Sequence, residues 1–580
     1  MDITNPWPDG WRLAPLALTM LLPLCDGPAS ASGYTDPAAI DRAVAAFTGA
    51  EPGSPGGARL PADRVPRRGE WSRLTGPWRE RIDATSTPAE VRALLDERVQ
   101  FRVLDPACGC GNFLVIAYRE LRLLELEVLR ALGAVKKTQH FEFDLADLVQ
   151  VGVEQFYGIE IEEFPAQIAQ VALWLTDHQM NMRVSEEFGQ YFVRLPLKRA
   201  ANIAHGNALT LDWSSLVSPD KLSYIVGNPP FVGKQYQGAE QKEQLAAVFS
   251  DVSGAGVLDF VACWHRKATD YMAKNPAIRT AFVSTNSITQ GEQVGVLWAD
   301  LFRRGVKIHF AHRTFQWSSE ARGKAAVHCV IIGFALHDTT GKVIYDYDTP
   351  QSEPHALKAS NINPYLVEGD DLFLTKTRTP IGDSSPIAFG SMPNDGGNLL
   401  MTPEEKAALL KQEPKAKAWI RKVLGSEELI NGIERWCLWL VDVTPDELRA
   451  MPAVLARVNA VKKQRAESKR PTTQALAATP TLFGEIRQPK GRYLAIPEVS
   501  SERRPYIPIA FLPQSVIATN KLYTISKAGL YEFGVMNSVM HMAWTRAVCG
   551  RLKSDYQYSA GIVYNNFPWP SPTDTQRKAI

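Results

Sequence analysis

The sequence predicts an α/β protein: a doubly wound, mostly parallel sheet over about residues 100–340, then an α+β region and a helical C-terminal segment. Three observations carry this. Apolar strand-like runs alternate with amphipathic helical stretches between about 100 and 340, the pattern of parallel βαβ units. A glycine loop follows the first of those strands and opens a helix, as at the ligand-binding edge of such sheets. Beyond 340 the alternation stops, and loops and helical pieces dominate.

The first thirty residues stand apart from this pattern. "WRLAPLALTMLLPLCDGPASASG" joins an apolar run of signal-peptide length to small residues. The preceding "MDITNPWPDG" carries two acids and no base, which argues against secretion and leaves an apolar packing segment or a truncated upstream region. Residues 50–70, rich in Pro, Gly and Arg, read as a loop or linker. "FRVLDPA" is the first strand of the alternating region, and "NFLVIAYRELRLLELEVLRALG" a helix closed by Gly133. "FYGIEI" is the second strand, with "PAQIAQVALWLTDHQM" as its helix. "LSYIVGNPPF" and "RTAFVSTNSI" are further strands, and "IHFAHRTF" with "AAVHCVIIGFAL" forms a late hairpin. Beyond 340, "TPEEKAALLKQ" and "TPDELRAMPAVLARVNAVKKQRAESKR" are helical. The second ends in Lys462, Lys463, Arg465, Lys469 and Arg470, which taken alone reads as a solvated helix end.

Composition narrows the class without naming a function. With 64 basic and 62 acidic residues the net charge is +2, so any basic surface is local. Seven scattered cysteines give no disulfide framework and favour a reducing, cytoplasmic setting. Cys108 and Cys110 form a C-x-C without a second Cys/His pair at zinc-like spacing, so no metal site is expected. No run approaches the roughly 18 apolar residues that span a bilayer, and no membrane partner is expected.

"VLDPACGCGNFL" puts Asp105 at a strand end, ahead of Gly109 and Gly111. The spacing is not that of a dinucleotide loop, which would need glycine where Leu114 stands, and Asp105 would crowd a pyrophosphate. An acid before the glycines favours a ligand with a positive amino group. Glu160 closes the next strand, where a carboxylate accepts the hydroxyls of a ribose. It lies 55 residues after Asp105, against roughly 20 in a simple βαβ unit, so an insertion near 134–150 is implied. An amino group, a ribose and no pyrophosphate describe S-adenosyl-L-methionine.

In "YIVGNPPFVGKQY" an apolar strand runs into Gly-Asn, two prolines and a ring. Two prolines cannot continue a ladder, so the chain leaves the strand in a stiff extended turn that fixes Asn228 relative to Phe231. Here the residues match a family. "DPACGCGNF" resembles motif I of class I methyltransferases acting on adenine N6, and "GNPPF" resembles their catalytic Asn-Pro-Pro-Phe motif. The resemblance implies a Rossmann-like class I fold using S-adenosyl-L-methionine. Pro106, Ala107, Cys108, Asn112 and Phe113 then join Asp105, Gly109 and Gly111 around the cofactor, and Ile161 joins Glu160. It also implies that the Asn228 side-chain oxygen and the Pro229 carbonyl accept the two N6–H groups, Pro230 stiffens the corner, and Phe231 stacks on an adenine flipped from duplex DNA.

Further stretches resemble the MmeI-like (type IIL) restriction–modification proteins, in which one chain methylates and cleaves. "SGYTDPAAIDRAV" resembles their motif before the glycine loop, implying that Tyr34 and Thr35 contact the cofactor carboxylate. "FVGKQYQ", "VSTNSITQGEQV", "FAHRTFQW" and "GKAAVHCVIIGF" resemble their catalytic core. "YLAIPEVSSERRPYIPIAF" and "MHMAWTRAVCGRLKSDYQYSAGIVYNNFPWP" resemble the end of their target-recognition domain and their C-terminal segment. The implied domains are an unassigned 1–30, a methyltransferase over 31–340, DNA target recognition over 341–510 and a helical segment over 511–580. On this reading Lys462, Lys463, Arg465, Arg503 and Arg504 face the duplex, although Arg503 and Arg504 are equally placed to pair with acids such as Glu502.

Two departures stand out. Asn207 and Ala208 occupy a cofactor-adenine position where many relatives carry Asp first. Only about 30 residues precede Tyr34, with no D…E-x-K cluster, so the expectation is methylation without cleavage, with a separate restriction nuclease as a conceivable partner. Two rivals stand beside the leading reading: glutamine methylation in a protein, since related N-P-P-Y motifs do that, and a degraded DNA-binding remnant.

Overall fold

The computed structural model describes residues 100–136, 148–189, 201–317, 327–552 and 554–579. They fall into two compact units, one ending at Ile288 and resuming over Val296–Phe373, the other formed by Thr289–Gly295 and Leu374–Ile580.

The first unit is built on nine strands: β1 (Val103–Asp105), β2 (Phe156–Glu160), β3 (Asn202–His205), β4 (Tyr224–Gly227), β5 (Arg279–Thr285), β6 (Lys307–Trp317), β7 (Val327–Ala335), β8 (Lys342–Asp346) and β9 (His355–Ala359). Their order is β3-β2-β1-β4-β5-β7-β6-β8-β9. β1 to β5 run parallel. β7 lies antiparallel to both β5 and β6, so the late hairpin reverses direction inside the sheet. β1 and β4 bury every residue, as strands covered on both faces must. The helices α1 (Asn112–Lys136), α2 (Glu163–Phe188), α3 (Ala239–Val248), α4 (Ala262–Met272) and α5 (Gly291–Arg303) connect these strands.

α1 and α2 are tied by a buried polar knot. The Arg122 guanidinium lies 3.0 Å from Glu125 and 3.0 Å from Asp177, and donates to Asn181 at 2.9 Å. Glu125 also accepts the backbone N–H groups of Gln150 and Val151 at 2.7 and 2.8 Å, fastening the chain that leads into β2. α1 does not stop at Gly133 but runs to Lys136: with no Pro to block it, packing carries one helical glycine at a cost of about 1 kcal/mol.

Two strands of the first unit follow residue 340. β8 pairs with β6 and β9 with β8, so the catalytic sheet gains two strands, and its unit extends to Phe373.

The second unit is α+β, as expected, with more strand than its loop-rich sequence suggests. It holds two four-stranded sheets, β10-β18-β14-β16 and β11-β13-β12-β17, and a three-stranded sheet β15-β20-β19. In chain order these are Ile387–Phe389 (β10), Leu400–Met401 (β11), Ile420–Leu424 (β12), Trp436–Leu438 (β13), Tyr493–Pro497 (β14), Val499–Ser500 (β15), Ala510–Leu512 (β16), Val516–Ala518 (β17), Leu522–Ile525 (β18), Gly550–Leu552 (β19) and Asp555–Gln557 (β20). The region 511–580 is therefore helical only in part, because β17 and β18 complete sheets begun far upstream. The expected long helix near 445–470 splits. Pro452 lacks an N–H for a preceding turn and sits instead at the start of α6 (Pro452–Ala466).

Candidate active site

Asp105 ends β1, and Asn228 follows directly on β4. These strands are neighbours, with Leu104 opposite Ile225. From β1 the sheet proceeds to β2 and β3 on one side, and from β4 to β5 on the other. The two motifs thus flank the point where the strand order reverses, where an open α/β sheet leaves a crevice at its carboxyl edge.

The glycine loop is held from three sides. Asp105 Oδ1 accepts the Ala107 N–H at 3.0 Å. The Pro106 carbonyl accepts the Trp264 indole N–H at 3.0 Å. Glu160 Oε2 accepts the Gly109 N–H at 2.8 Å, while its Oε1 accepts that of Glu162 at 3.0 Å. The Glu160 carboxylate expected at a ribose is therefore also the brace that ties loop to β2. Gly109 takes φ +54°, and a Cβ there would meet nothing within 4 Å among the described residues. Gly111, at φ +83°, lets α1 approach α2 to where a Cβ would lie 3.0 Å from that of Ala169.

Among the described residues, two oxygens at these strand ends are buried without a hydrogen-bond partner: Asp105 Oδ2 and Asn228 Oδ1. An orphaned buried acceptor costs about 1–3 kcal/mol, which a ligand donor recovers. Burial pushes the Asp105 carboxyl up to about 7, with the charge of Glu160 adding in the same direction and the Ala107 bond opposing. A cationic amino group would offset that penalty. An orphan carboxylate oxygen, a glycine loop and an oriented Glu160 fit S-adenosyl-L-methionine.

The Asn-Pro-Pro-Phe corner is tied into the fold by packing and by the hydrogen bonds that follow it. Pro229 is buried, Pro230 exposed, and the half-buried Phe231 ring packs against the core under the sheet's edge. Val232 donates its N–H to Asp259 at 3.1 Å, and its carbonyl accepts from Phe260 N–H and the Gln237 amide at 3.1 and 3.0 Å. Gly227 packs against Asp105, where a Cβ would lie 2.6 Å from Oδ1.

The remaining sequence-predicted residues divide. Cys108 and Phe113 are buried and belong to the core beneath the loop. Burial raises both the Cys108 and Cys110 thiols, so they stay neutral, and among the described residues no group of three or more His, Cys, Asp or Glu is placed to hold a metal. Asn112 opens α1, and Ile161 is exposed beside Glu160. Asn207 Oδ1 accepts the Leu209 N–H at 2.9 Å, and the Ala208 carbonyl accepts the Trp213 indole at 2.9 Å. That turn needs one side-chain carbonyl oxygen, which Asn supplies as well as Asp. Tyr34 and Thr35, with the whole of 1–30, lie outside the described residues.

Arg465 is a correction. Its side chain is fully buried and donates to the carbonyls of Pro393, Asn394, Leu476, Thr479 and Leu482 at 2.8–3.1 Å. A guanidinium with five internal acceptors is a structural clamp and does not reach DNA. Lys462 and Lys463 are exposed on the same helix. Arg503 is exposed and Arg504 half-buried, and neither forms an ion pair among the described residues. Trp264, Asp259 and Gln237 went unnoticed in the sequence. Their only signal was position, the last lying in "FVGKQYQ" and the others ahead of and within α4.

Comparison with known proteins extends the picture. A model described as the MmeI DNA-methyltransferase domain matches residues 82–346, and one described as the MmeI target recognition domain matches 368–571. "DNA methyltransferase A" of Bacillus subtilis (strain 168) is 38% identical over 503 residues, covering 86% of this chain and 55% of that protein. The chain thus spans about half the length of that curated relative. A putative type II restriction enzyme and methyltransferase of Methanocaldococcus jannaschii is 33% identical over 86 residues, 15% of this chain and 7% of that protein. The solved structure of the type IIL restriction-modification enzyme MmeI in complex with DNA matches with TM-score 0.80 at 50% identity, covering 87% of this chain and 67% of that one. With both matched regions in this order along one chain, the protein belongs to the MmeI family, carrying its DNA-methyltransferase domain followed by its target recognition domain.

Proposed function

We propose that the protein transfers a methyl group from S-adenosyl-L-methionine to N6 of adenine at a specific site in duplex DNA, as the modification arm of a cytoplasmic restriction–modification system. The observation that carries this is that Asn228 Oδ1 and Asp105 Oδ2, at the ends of neighbouring strands, are both buried without a partner among the described residues. When bound, the cofactor supplies an electrophilic methyl group on a sulfonium. Asp105 and Glu160 would hold its amino group and ribose. Lys462, Lys463, Arg503 and Arg504 would hold the duplex by its phosphates.

The exocyclic nitrogen of adenine is a poor nucleophile because its lone pair is delocalised into the ring. Asn228 Oδ1 accepts one N6–H and the Pro229 carbonyl the other, favouring a tetrahedral nitrogen with its lone pair aimed outward. Phe231, backed by the core, supports one face of the base. The proline corner sets these groups in place before the base arrives, so the gain is one of positioning. An amide cannot take the proton at neutral pH, and it leaves to water after transfer. The buried His265 is no substitute base, since burial lowers it to about 4.

The test is single-molecule sequencing of DNA from cells expressing the chain, which reports base and site together. Asn228→Ala should lower transfer at least about a hundredfold and leave cofactor affinity within about twofold, by calorimetry. Activity within a few-fold of wild type would contradict the role. Peptide mass analysis covers glutamine methylation, and absent cofactor binding would mark a remnant.

A further inference from the structure

We infer that the turn Gly233–Tyr236 is the wedge that holds the duplex open, with the Tyr236 ring stacking where the flipped adenine has left and Lys234 on a flanking phosphate; this rests on the activity proposed above.

The turn leaves the catalytic corner directly. Lys234, Gln235 and Tyr236 are all exposed, Tyr236 at 77%, an unusual state for a large aromatic five residues from a catalytic motif. Their backbone is nonetheless fixed. The Tyr236 N–H donates to the Gly233 carbonyl at 2.8 Å, closing the turn. Below it Gln237 is buried and its amide donates to the Val232 and Leu258 carbonyls, each at 3.0 Å. The buried Asp259 accepts the Val232 N–H. A tip of three solvent-facing side chains on a pinned base is built for something outside the chain.

The location decides what. The turn lies beyond the carboxyl end of β4, on the side where the base must enter. Five extended residues span at most about 18 Å, so the tip stays within a few base-pair steps of the pocket. Extrusion of a base leaves a hole in the stack, and proteins fill such holes with apolar or aromatic wedges. Tyrosine offers a flat face any neighbouring base can use. Lys234 has no acidic partner among the described residues, leaving its charge for a phosphate.

The test uses the full chain and a duplex bearing its methylation site. Tyr236→Ala should lower kcat/KM about fivefold to a hundredfold on paired DNA, with cofactor affinity unchanged. Tyr236→Trp should restore most of it. The deficit should shrink to about threefold or less when the target adenine is mispaired, because extrusion then costs least. Lys234→Ala should reduce the salt slope of binding by about one. If wild type methylates adenine while Tyr236→Ala stays within about twofold of it, or shows equal deficits on paired and mispaired DNA, the wedge is overturned and the activity stands. A wild type that methylates no adenine in duplex DNA overturns both.

Discussion

Replacing Asp105 by Asn should make the free protein more stable and its cofactor pocket worse, each with a pH dependence that follows from one buried carboxyl. Burial moves that group from 3.8 to about 7. At about 1.4 kcal/mol per pH unit, its ionisation costs the fold up to about 4 kcal/mol at pH 8. The carboxyl is raised in the folded state, so the fold incurs no such cost below about pH 4, incurs it progressively up to pH 7, and carries it in full above. Asn, which keeps an oxygen for the Ala107 N–H, incurs none of it. The variant should therefore exceed wild type in urea unfolding at pH 8 by 1 kcal/mol or more, to a limit of about 4, and the difference should vanish near pH 4. Binding runs the other way. A cationic amino group engages only the ionised form, about a tenth of the molecules at pH 6 and about three quarters at pH 7.5. Wild-type Kd measured calorimetrically should rise about eightfold between pH 7.5 and 6, whereas the Asn variant should bind weakly and without that dependence. A wild-type Kd flat over this range, or a variant as tight as wild type at pH 7.5, would refute the reasoning.

Other perturbations separate the parts of the molecule. Gly227→Ala puts a methyl 2.6 Å from Asp105 Oδ1 on a strand paired on both sides, so the carboxylate must turn away; cofactor affinity should fall at least about tenfold, with stability lower by about 1–3 kcal/mol in denaturant titration. Arg465→Met removes the donor to five carbonyls and should cost about 3–5 kcal/mol in the same assay, a loss a surface arginine would not produce. Lys462→Ala and Lys463→Ala should leave stability within about 0.5 kcal/mol, and each should reduce the salt dependence of DNA binding by about one in log–log slope.

The methyltransferase domain was legible because its motifs are local. Asp105, the two glycines and the Asn-Pro-Pro-Phe corner each sit at the end of an apolar run, and a strand end is where a sheet exposes such groups. Trp264 was not legible, because its bond to Pro106 joins positions 158 residues apart and nothing local marks it. The individual strands of the second unit, expected only as an α+β region, were not legible for the same reason on a larger scale. β10 pairs with β18 and β12 with β17 across about a hundred residues, through strands of three to five residues, too short to show a period of two. Arg465 deceived by company. It shares the charge of Lys462 and Lys463, but its guanidinium turns inward to the carbonyls of Pro393 and Leu482 while the two lysines stay exposed.

On the proposed function, the adjacency of β1 and β4 would make backbone pairing the ruler of the reaction. One strand end would grip the methyl donor and its neighbour the acceptor, and the spacing between the two grips is set by which peptide faces which. A slip of a single residue would displace one grip by about 3.3 Å, more than the reach of a forming bond, and turn its side chains to the wrong face. Side chains elsewhere can drift over generations without retuning that distance, whereas the one short ladder that sets Leu104 against Ile225 cannot.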